Sequence, residues 1–548
     1  MASRFLNLAL FIAVAVVAAG LWAWAGRPVA LPDVPDGRLR CLSYSPFSEN
    51  ELPSDPDSVV PRQRIAADLK LLSGYTGCVR TYSALHGLSA VAELAAANGM
   101  EVLLGIWIGS NHADNAREIE AALASAAAHP QAVRGIVVGN EVLLRRELTA
   151  DQLMDVIRKV RAGTALPVTY ADVWEFWLRN PQVATLTDFV TVHILPFWED
   201  EPIAVDHAQA HLGAILDKVR GSFPGKPILI GETGWPSAGR SREGAVPGPL
   251  NQARFVREFV VMAGERGMDY NLIEAFDQPW KRRNEGTVGG HWGIFDADRN
   301  PKFALSGPVS DLPSWPLHAM ATTLLSAAFA LWGVTTGRRL APWRWAAVAA
   351  LGHVAGAVFV FQIRNVLAAG IGPAGLLLGL GGLALAAGGA AALLHRLTGD
   401  GRPARPATAP ELAAWLRRPA APGPELWLGA LRLATLFGTA SVALKLALDP
   451  RYLDFPIFAY ALPAAAWLLL APGGRGGGER RPEEGWLAIV ILLSVPVGLW
   501  REGVNLEAWA WNIIALAVAW PARRQAWREA ARLFALGRRV EAGGAEQP

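Results

Sequence analysis

The chain has 548 residues, of which 52% are hydrophobic and only 18% charged, and its mean hydropathy is +0.24. An ordinary soluble domain is about 25% charged, so composition excludes a disordered regulator and argues against a purely soluble enzyme. The formal net charge of +3 conceals two halves: residues 1–315 carry 29 Lys/Arg against 35 Asp/Glu, and residues 316–548 carry 22 against 13. Nucleic-acid binding needs a basic patch on a folded surface, which the acidic front half does not supply; the basic excess behind it belongs to a membrane.

In chain order, residues 1–29 come first. An apolar run from Phe5 to Trp24 behind Arg4 reads as a signal anchor or signal peptide, with Ala23-Trp24-Ala25 as a small-x-small cleavage site. The run is longer than a signal core of about 7–15 residues, which favours an uncleaved anchor. Either way, the chain beyond Pro28 is delivered outside the cytoplasm.

Residues 30–312 read as an α/β domain, near the roughly 250 residues of a (β/α)8 barrel. Eight short apolar runs predict strands at Arg40–Ser45, Cys78–Tyr82, Glu101–Ile106, Gly135–Val138, Val168–Tyr170, Phe189–His193, Pro227–Ile230 and Asn271–Phe276. Between them, helical patterns cover Arg62–Ser73, Leu88–Ala97, Asn115–His129, Ala150–Arg161 (with Thr149 as N-cap), Val205–Gly221 and Asn251–Gly267. Alternating strands and helices imply a parallel sheet with helices outside it. Cys41 and Cys78 begin neighbouring strands in an oxidising compartment, and both the paired and the free state stay open.

Residues 313–548 read as an all-α polytopic membrane domain. Apolar stretches at about 317–335, 345–363, 366–394, 426–448, 455–471, 486–500 and 508–521 predict seven spans, the last two short of the roughly 20 residues a spanning helix needs. Arginines crowd alternate loops: Arg338, Arg339 and Arg344; Arg396 to Arg418; Arg475, Arg480 and Arg481; and the tail from Arg523 to Arg539. By the positive-inside rule this puts the tail in the cytoplasm and the barrel outside. Arg432 and Lys445 fall near the ends of one span, where long basic side chains snorkel. Gly352-x-x-x-Gly356 suggests close helix packing, and the Gly473–Gly478 run is a flexible loop without P-loop features.

The chemistry gathers at the C-terminal ends of the strands, where active sites of such barrels sit. Glu141 and Glu232 end strands four and seven directly after apolar residues. One such glutamate alone could be the structural partner of a barrel arginine such as Arg80. Two at one mouth supply what glycosidic cleavage needs: an acid for the leaving oxygen and a nucleophile for the sugar carbon. Trp107, Trp174, Trp177, Trp198, Trp235, Trp280 and Trp292 offer flat apolar faces for sugar rings. No histidine spacing suggests a metal site, and neither a cofactor nor a nucleic-acid partner is expected.

Val138-Gly139-Asn140-Glu141 and Gly231-Glu232-Thr233-Gly234-Trp235-Pro236-Ser237 resemble the two active-site motifs of glycoside hydrolase family 17, a β-1,3-glucan-active family. Tyr44-Ser45-Pro46, Val79 to Tyr82, His193 to Trp198 and Phe276 to Phe295 resemble its bacterial branch. The resemblance implies a (β/α)8 barrel, Glu141 as acid/base, Glu232 as nucleophile and a retaining double displacement. It implies sugar contacts from Tyr44, Tyr82, Asn140, Trp174, Trp177, His193, Trp198, Trp235, Trp280, Lys281, Glu285 and Trp292. Gln278 stands where plant members have an acid three residues before the lysine, and it is expected to bind sugar hydroxyls without charge. The expected partners are a β-1,3-glucan or other β-glucan, membrane lipid, and a glucan synthase or export machine, with the barrel on the periplasmic side of a bacterial inner membrane. Remodelling by transglycosylation is expected, with a plain endo-1,3-β-glucanase or a non-catalytic glucan-binding protein as the alternatives.

Overall fold

The computed structural model describes all residues except 1, 337–339, 400–404, 420, 471–479 and 545–548. The predicted arginines 338, 339, 402 and 475 and the Gly473–Gly478 loop lie outside the described residues. The chain divides into two compact units, residues 28–311 and residues 1–27 together with 312–548.

In the first unit, eight parallel strands close into a barrel in sequence order, β1 (Leu42–Ser43), β2 (Cys78–Arg80), β3 (Glu101–Ile106), β4 (Val133–Asn140), β5 (Val168–Val173), β6 (Val190–His193), β7 (Ile228–Thr233) and β8 (Asp269–Leu272). All eight predicted strands exist, and the errors lie at their ends. β1 pairs with β8 through one residue pair, Leu42 with Leu272, so it is shorter than its apolar pattern suggests. β8 stops before Glu274, whose backbone turns to Trp292 and Ile294 instead of the ladder. Side chains alternate across each strand. Alternate positions join the helix-facing core, while Cys41, Cys78, Leu103, Val137, Ala171 and Leu229 form a separate small cluster with Phe189. Cys41 and Cys78 are joined by a disulfide.

The helices fall where their periodicity places them. Thr149 caps Ala150–Ala162 in a full capping box with Gln152. A short helix at Trp174–Arg179 was not expected, because six residues carry too little period to read. Entry and exit of the barrel lie side by side, with Val29 and Val309 forming an antiparallel bridge. Buried Arg257 clasps that seam: it donates to the carbonyls of Leu31, Pro32, Ala304 and Gly307 and to Asp33.

The second unit is helical. Among the described residues, six helices are long and apolar enough to cross a membrane: Phe5–Ala25, Trp315–Thr335, Pro342–Ala369, Gly372–Thr398, Pro424–Leu448 and Pro482–Arg501. The apolar stretches at 455–471 and 508–521 give helices of only 14 residues, Ile457–Leu470 and Leu506–Ala519. The stretch at 486–500, expected to be short, is extended to 20 residues because Pro482, Glu483 and Glu484 build a favourable first turn. Gly352 and Gly356 face Ser326 and Thr322 so closely that a Cβ on either would collide, the close packing expected of small residues. Lys445 is exposed. Arg432 does not snorkel: it pairs with buried Glu484, which also binds Arg481, because an inward-facing charge needs a partner.

The N-terminal helix belongs to this unit. Trp22 is buried against the rings of His318 and Phe361, at centroid distances of 5.2 and 5.7 Å. Gly26 sits against Trp315, where a Cβ would collide with the indole.

Candidate active site

β4 and β7 each end in a glycine followed closely by a carboxylate, and the backbone explains the spacing. Gly139 has φ +84° and its absent Cβ would meet Val142 at 2.6 Å, so only glycine fits. This kink turns Glu141, itself at φ 54°, out of the strand. On β7 a Cβ at Gly231 would strike Thr191 and crowd the His193 ring. The missing side chain seats that imidazole between the strands.

His193 lies between the two glutamates. Its Nδ1 is 3.0 Å from Glu141 Oε1 and its Nε2 is 3.7 Å from Glu232 Oε1. One oxygen of each carboxylate and the imidazole all fall within 4.8 Å of one another. Glu141 is partly exposed, with 22% of its side chain accessible, whereas Glu232 is down to 6%. Arg80, fully buried, donates from NH1 to Glu232 Oε1 and to the Gly231 carbonyl, both at 2.9 Å. Its Nη2 donates to Asn140 Oδ1, so the Asn140 amide oxygen is engaged and its nitrogen is the group left to donate. The structural pairing of Glu232 with Arg80 is therefore real, and it coexists with the glutamate pair.

Burial pushes the Glu232 carboxyl up, but His193, Arg80, Lys281 and the Tyr82 hydroxyl together hold it below the usual value. Glu232 stays ionised at neutral pH. Nearby Asp172 is pushed up to about 6, mainly by burial and also by Glu141, against the hydrogen bond from Tyr170.

Behind Glu232 lies an acid that sequence reading missed. Glu274 is fully buried and accepts from Lys281 Nζ at 3.0 and 3.1 Å. Burial raises it to about 7, opposed by Lys281 and reinforced by Glu285 and Glu232. Burial likewise raises Glu285, despite Lys281. The available signal was a carboxylate inside the apolar run Asn271–Phe276, where burial is costly without a partner. Arg80, considered only as an alternative partner, is the other residue of the centre not counted as part of it.

Several expected sugar contacts prove to be scaffold. Trp177 is buried, donates to the Thr191 carbonyl and packs on Tyr170 and Phe223. Trp235 is buried between Phe197 and Phe255 and donates to Val246. Tyr44 is buried with its hydroxyl on Asp68. Gln278 is buried too: its amide donates to Ser45 and Phe276 carbonyls and its oxygen accepts from Trp280, so its polar atoms are spent internally. Trp292 is nearly buried, stacked behind Trp198 at 6.2 Å. Tyr82, Trp174, Trp198, Trp280, Lys281 and Glu285 keep partly accessible side chains. The difference is one of facing: a motif names an indole but not the side of the strand or helix it occupies.

Glu141, His193 and Glu232 are also spaced as a metal site could be. Arg80 and Lys281 already direct positive charge at Glu232, which opposes a second cation.

A family model described as the BtgE/BtgC glycoside hydrolase domain matches residues 41–293. A glucan 1,3-beta-glucosidase of Arthroderma benhamiae is 33% identical over 257 residues, 43% of this chain and 82% of that relative. The chain belongs to glycoside hydrolase family 17. A glucan 1,3-beta-glucosidase of Saccharomyces cerevisiae is 28% identical over 264 residues, covering 43% of this chain and 83% of the yeast protein. The family 17 beta-1,3-glucanosyltransferase structure from Rhizomucor miehei is 28% identical, with 49% of this chain and 97% of that one covered and a TM-score of 0.43. This family 17 member is a glycosidase-type enzyme, and its chain also carries a helical unit with apolar, span-length helices.

Proposed function

We propose that the barrel cleaves β-1,3-glucans with retention and passes the glycosyl unit to a second sugar, remodelling a glucan at the outer face of a bacterial inner membrane. The observation that carries this reading is the glutamate pair within 4.8 Å, one member buried and held ionised. Retaining glycosidases set their carboxyls about 5–5.5 Å apart, whereas inverting enzymes leave about 6.5–9.5 Å for a water.

Glu232 attacks the anomeric carbon while Glu141 gives its proton to the departing glycosidic oxygen, so the glycosyl–oxygen bond breaks as the ester forms. Glu141, now a carboxylate, takes the proton of an incoming hydroxyl, which displaces Glu232 with a second inversion. Asn140, steadied by Arg80, is set to hydrogen-bond the 2-hydroxyl, a contact that strengthens in the transition state. Water is present at about 55 M, so transfer requires an acceptor held at high effective concentration; the accessible faces of Trp198 and Trp280 would serve that purpose. The apolar helices and alternating arginines support a multi-pass protein with a cytoplasmic tail, near a glucan synthase or exporter in the same membrane.

The test is incubation of the full-length protein with linear β-1,3-gluco-oligosaccharides, following product length by mass spectrometry. Products longer than the donor at millimolar substrate support transfer; only shorter ones at every concentration make it a plain glucanase. Glu232→Ala should lose turnover by several orders of magnitude, and azide should restore an inverted glycosyl azide. Near-normal turnover in that variant would remove Glu232 from the nucleophile's role, and an inactive wild type that still binds glucan would make the barrel a receptor.

A further inference from the structure

Trp107 follows β3 at the C-terminal face of the barrel and is 40% exposed, in a unit whose other tryptophans are buried or half-buried. Among the Trp, Tyr and Phe side chains of residues 28–311, it alone is exposed. An indole has a large apolar face, and leaving it in water forfeits the burial that such a side chain normally supplies.

Trp107 is also held in place. The Arg145 guanidinium stacks on it with Cζ 4.1 Å from the ring centroid. That guanidinium is itself fixed by three acceptors: Asn140 O at 3.2 Å from Nε, Ile108 O at 2.9 Å from NH2 and Glu147 Oε1 at 3.5 Å from NH1. Glu147 in turn accepts from the Ser110 amide at 2.9 Å. The β3 and β4 loops are therefore laced together, with Arg145 in contact with both the indole and the carbonyl of Asn140. Arg145 also lies within the field of Glu141 and Asp172. A ring fixed this firmly beside the cleavage centre, yet open to solvent, is pre-organised for a partner.

We propose that Trp107 is a glucan platform that stacks on a β-linked glucosyl ring of the same chain, away from the bond being cut, with Arg145 as its positioning residue. The inference rests on the glucan reading above and adds a subsite to it. The ligand chemistry is a neutral sugar ring: its axial C–H face is apolar and suits an indole, while its equatorial hydroxyls reach the polar rim of Arg145 and Glu147.

The test uses full-length protein and linear β-1,3-gluco-oligosaccharides of increasing length. In Trp107→Ala the loss of kcat/KM should grow with oligomer length and reach about tenfold, carried by KM rather than kcat; tenfold corresponds to about 1.4 kcal/mol. Trp107→Phe should recover part of it. In a Glu232→Ala background, Trp107→Ala should weaken binding of the longest oligomer by a similar factor. Loss that is equal at every length, or no loss at any, overturns the platform. A wild type that cleaves and binds none of the oligomers overturns the glucan reading itself, so the two failures are distinct.

Discussion

Arg80 and Glu274 show how much of a site depends on residues outside the two glutamate motifs. Arg80 touches Glu232, the Gly231 carbonyl and Asn140 at once, so a single guanidinium helps His193 and Lys281 hold one glutamate ionised and also fixes the neighbouring amide. Lysine could not span three acceptors in this fork geometry. Glu274 raises a question of pH. Its carboxyl moves from an ordinary 4.5 to about 7, chiefly through burial. Between those values the folded protein holds a proton that the unfolded chain releases. Stability therefore falls as pH rises across that window. Glu274→Gln cannot titrate, so its melting temperature should decline less between pH 4.5 and 7 than that of the wild type. The scan that checks it is differential calorimetry at several pH values; parallel curves would remove Glu274 as the source. The two glutamates at the barrel mouth were legible because each ends an apolar strand within a distinctive motif. Glu274 was not, since inside a run of strand residues it reads as part of the sheet. Gln278 and Trp177 were misread for the complementary reason, as only packing reveals which side of an element faces the core.

Among the elements, β1 is the weak stave. It has two residues, and its closure onto β8 rests on one pair. The Cys41–Cys78 disulfide ties it to β2 across a sequence separation of 37. Linking a loop of that length removes chain entropy from the unfolded state worth about 4 kcal/mol in the simplest treatment. Cys41→Ser is expected to lower the thermal midpoint of the barrel by several degrees, and a reductant should do the same to wild type but nothing further to the variant. An unchanged midpoint would show that the helices outside the barrel hold this seam unaided. Strand and helix identities were readable from period and turn residues. Their ends were not, because hydrogen bonding to loops such as Trp292–Ile294 decides where a ladder stops. In the helical unit, apolar length was readable, whereas the Arg432–Glu484–Arg481 pairing depends on helices distant in sequence.

For the molecule as a whole, the first helix is the informative piece. Composition alone allowed it to be removed after Ala25. Its packing argues for retention, because Trp22 fits against His318 and Phe361, and excision would expose those surfaces. Intact-mass measurement of the purified protein should therefore include the first 25 residues, and a mature N-terminus at Gly26 would reject this.

Each unit also closes on itself at the point where the chain passes to the other. Val29 meets Val309 in the barrel, under the Arg257 clasp, and Gly26 meets Trp315 in the helical unit. In genetic terms the barrel is a cassette: both of its splice points lie together, and the helices that bracket it are already neighbours. Such an arrangement lets recombination exchange one catalytic insert for another, or delete it, without requiring the helical frame to find a new fold.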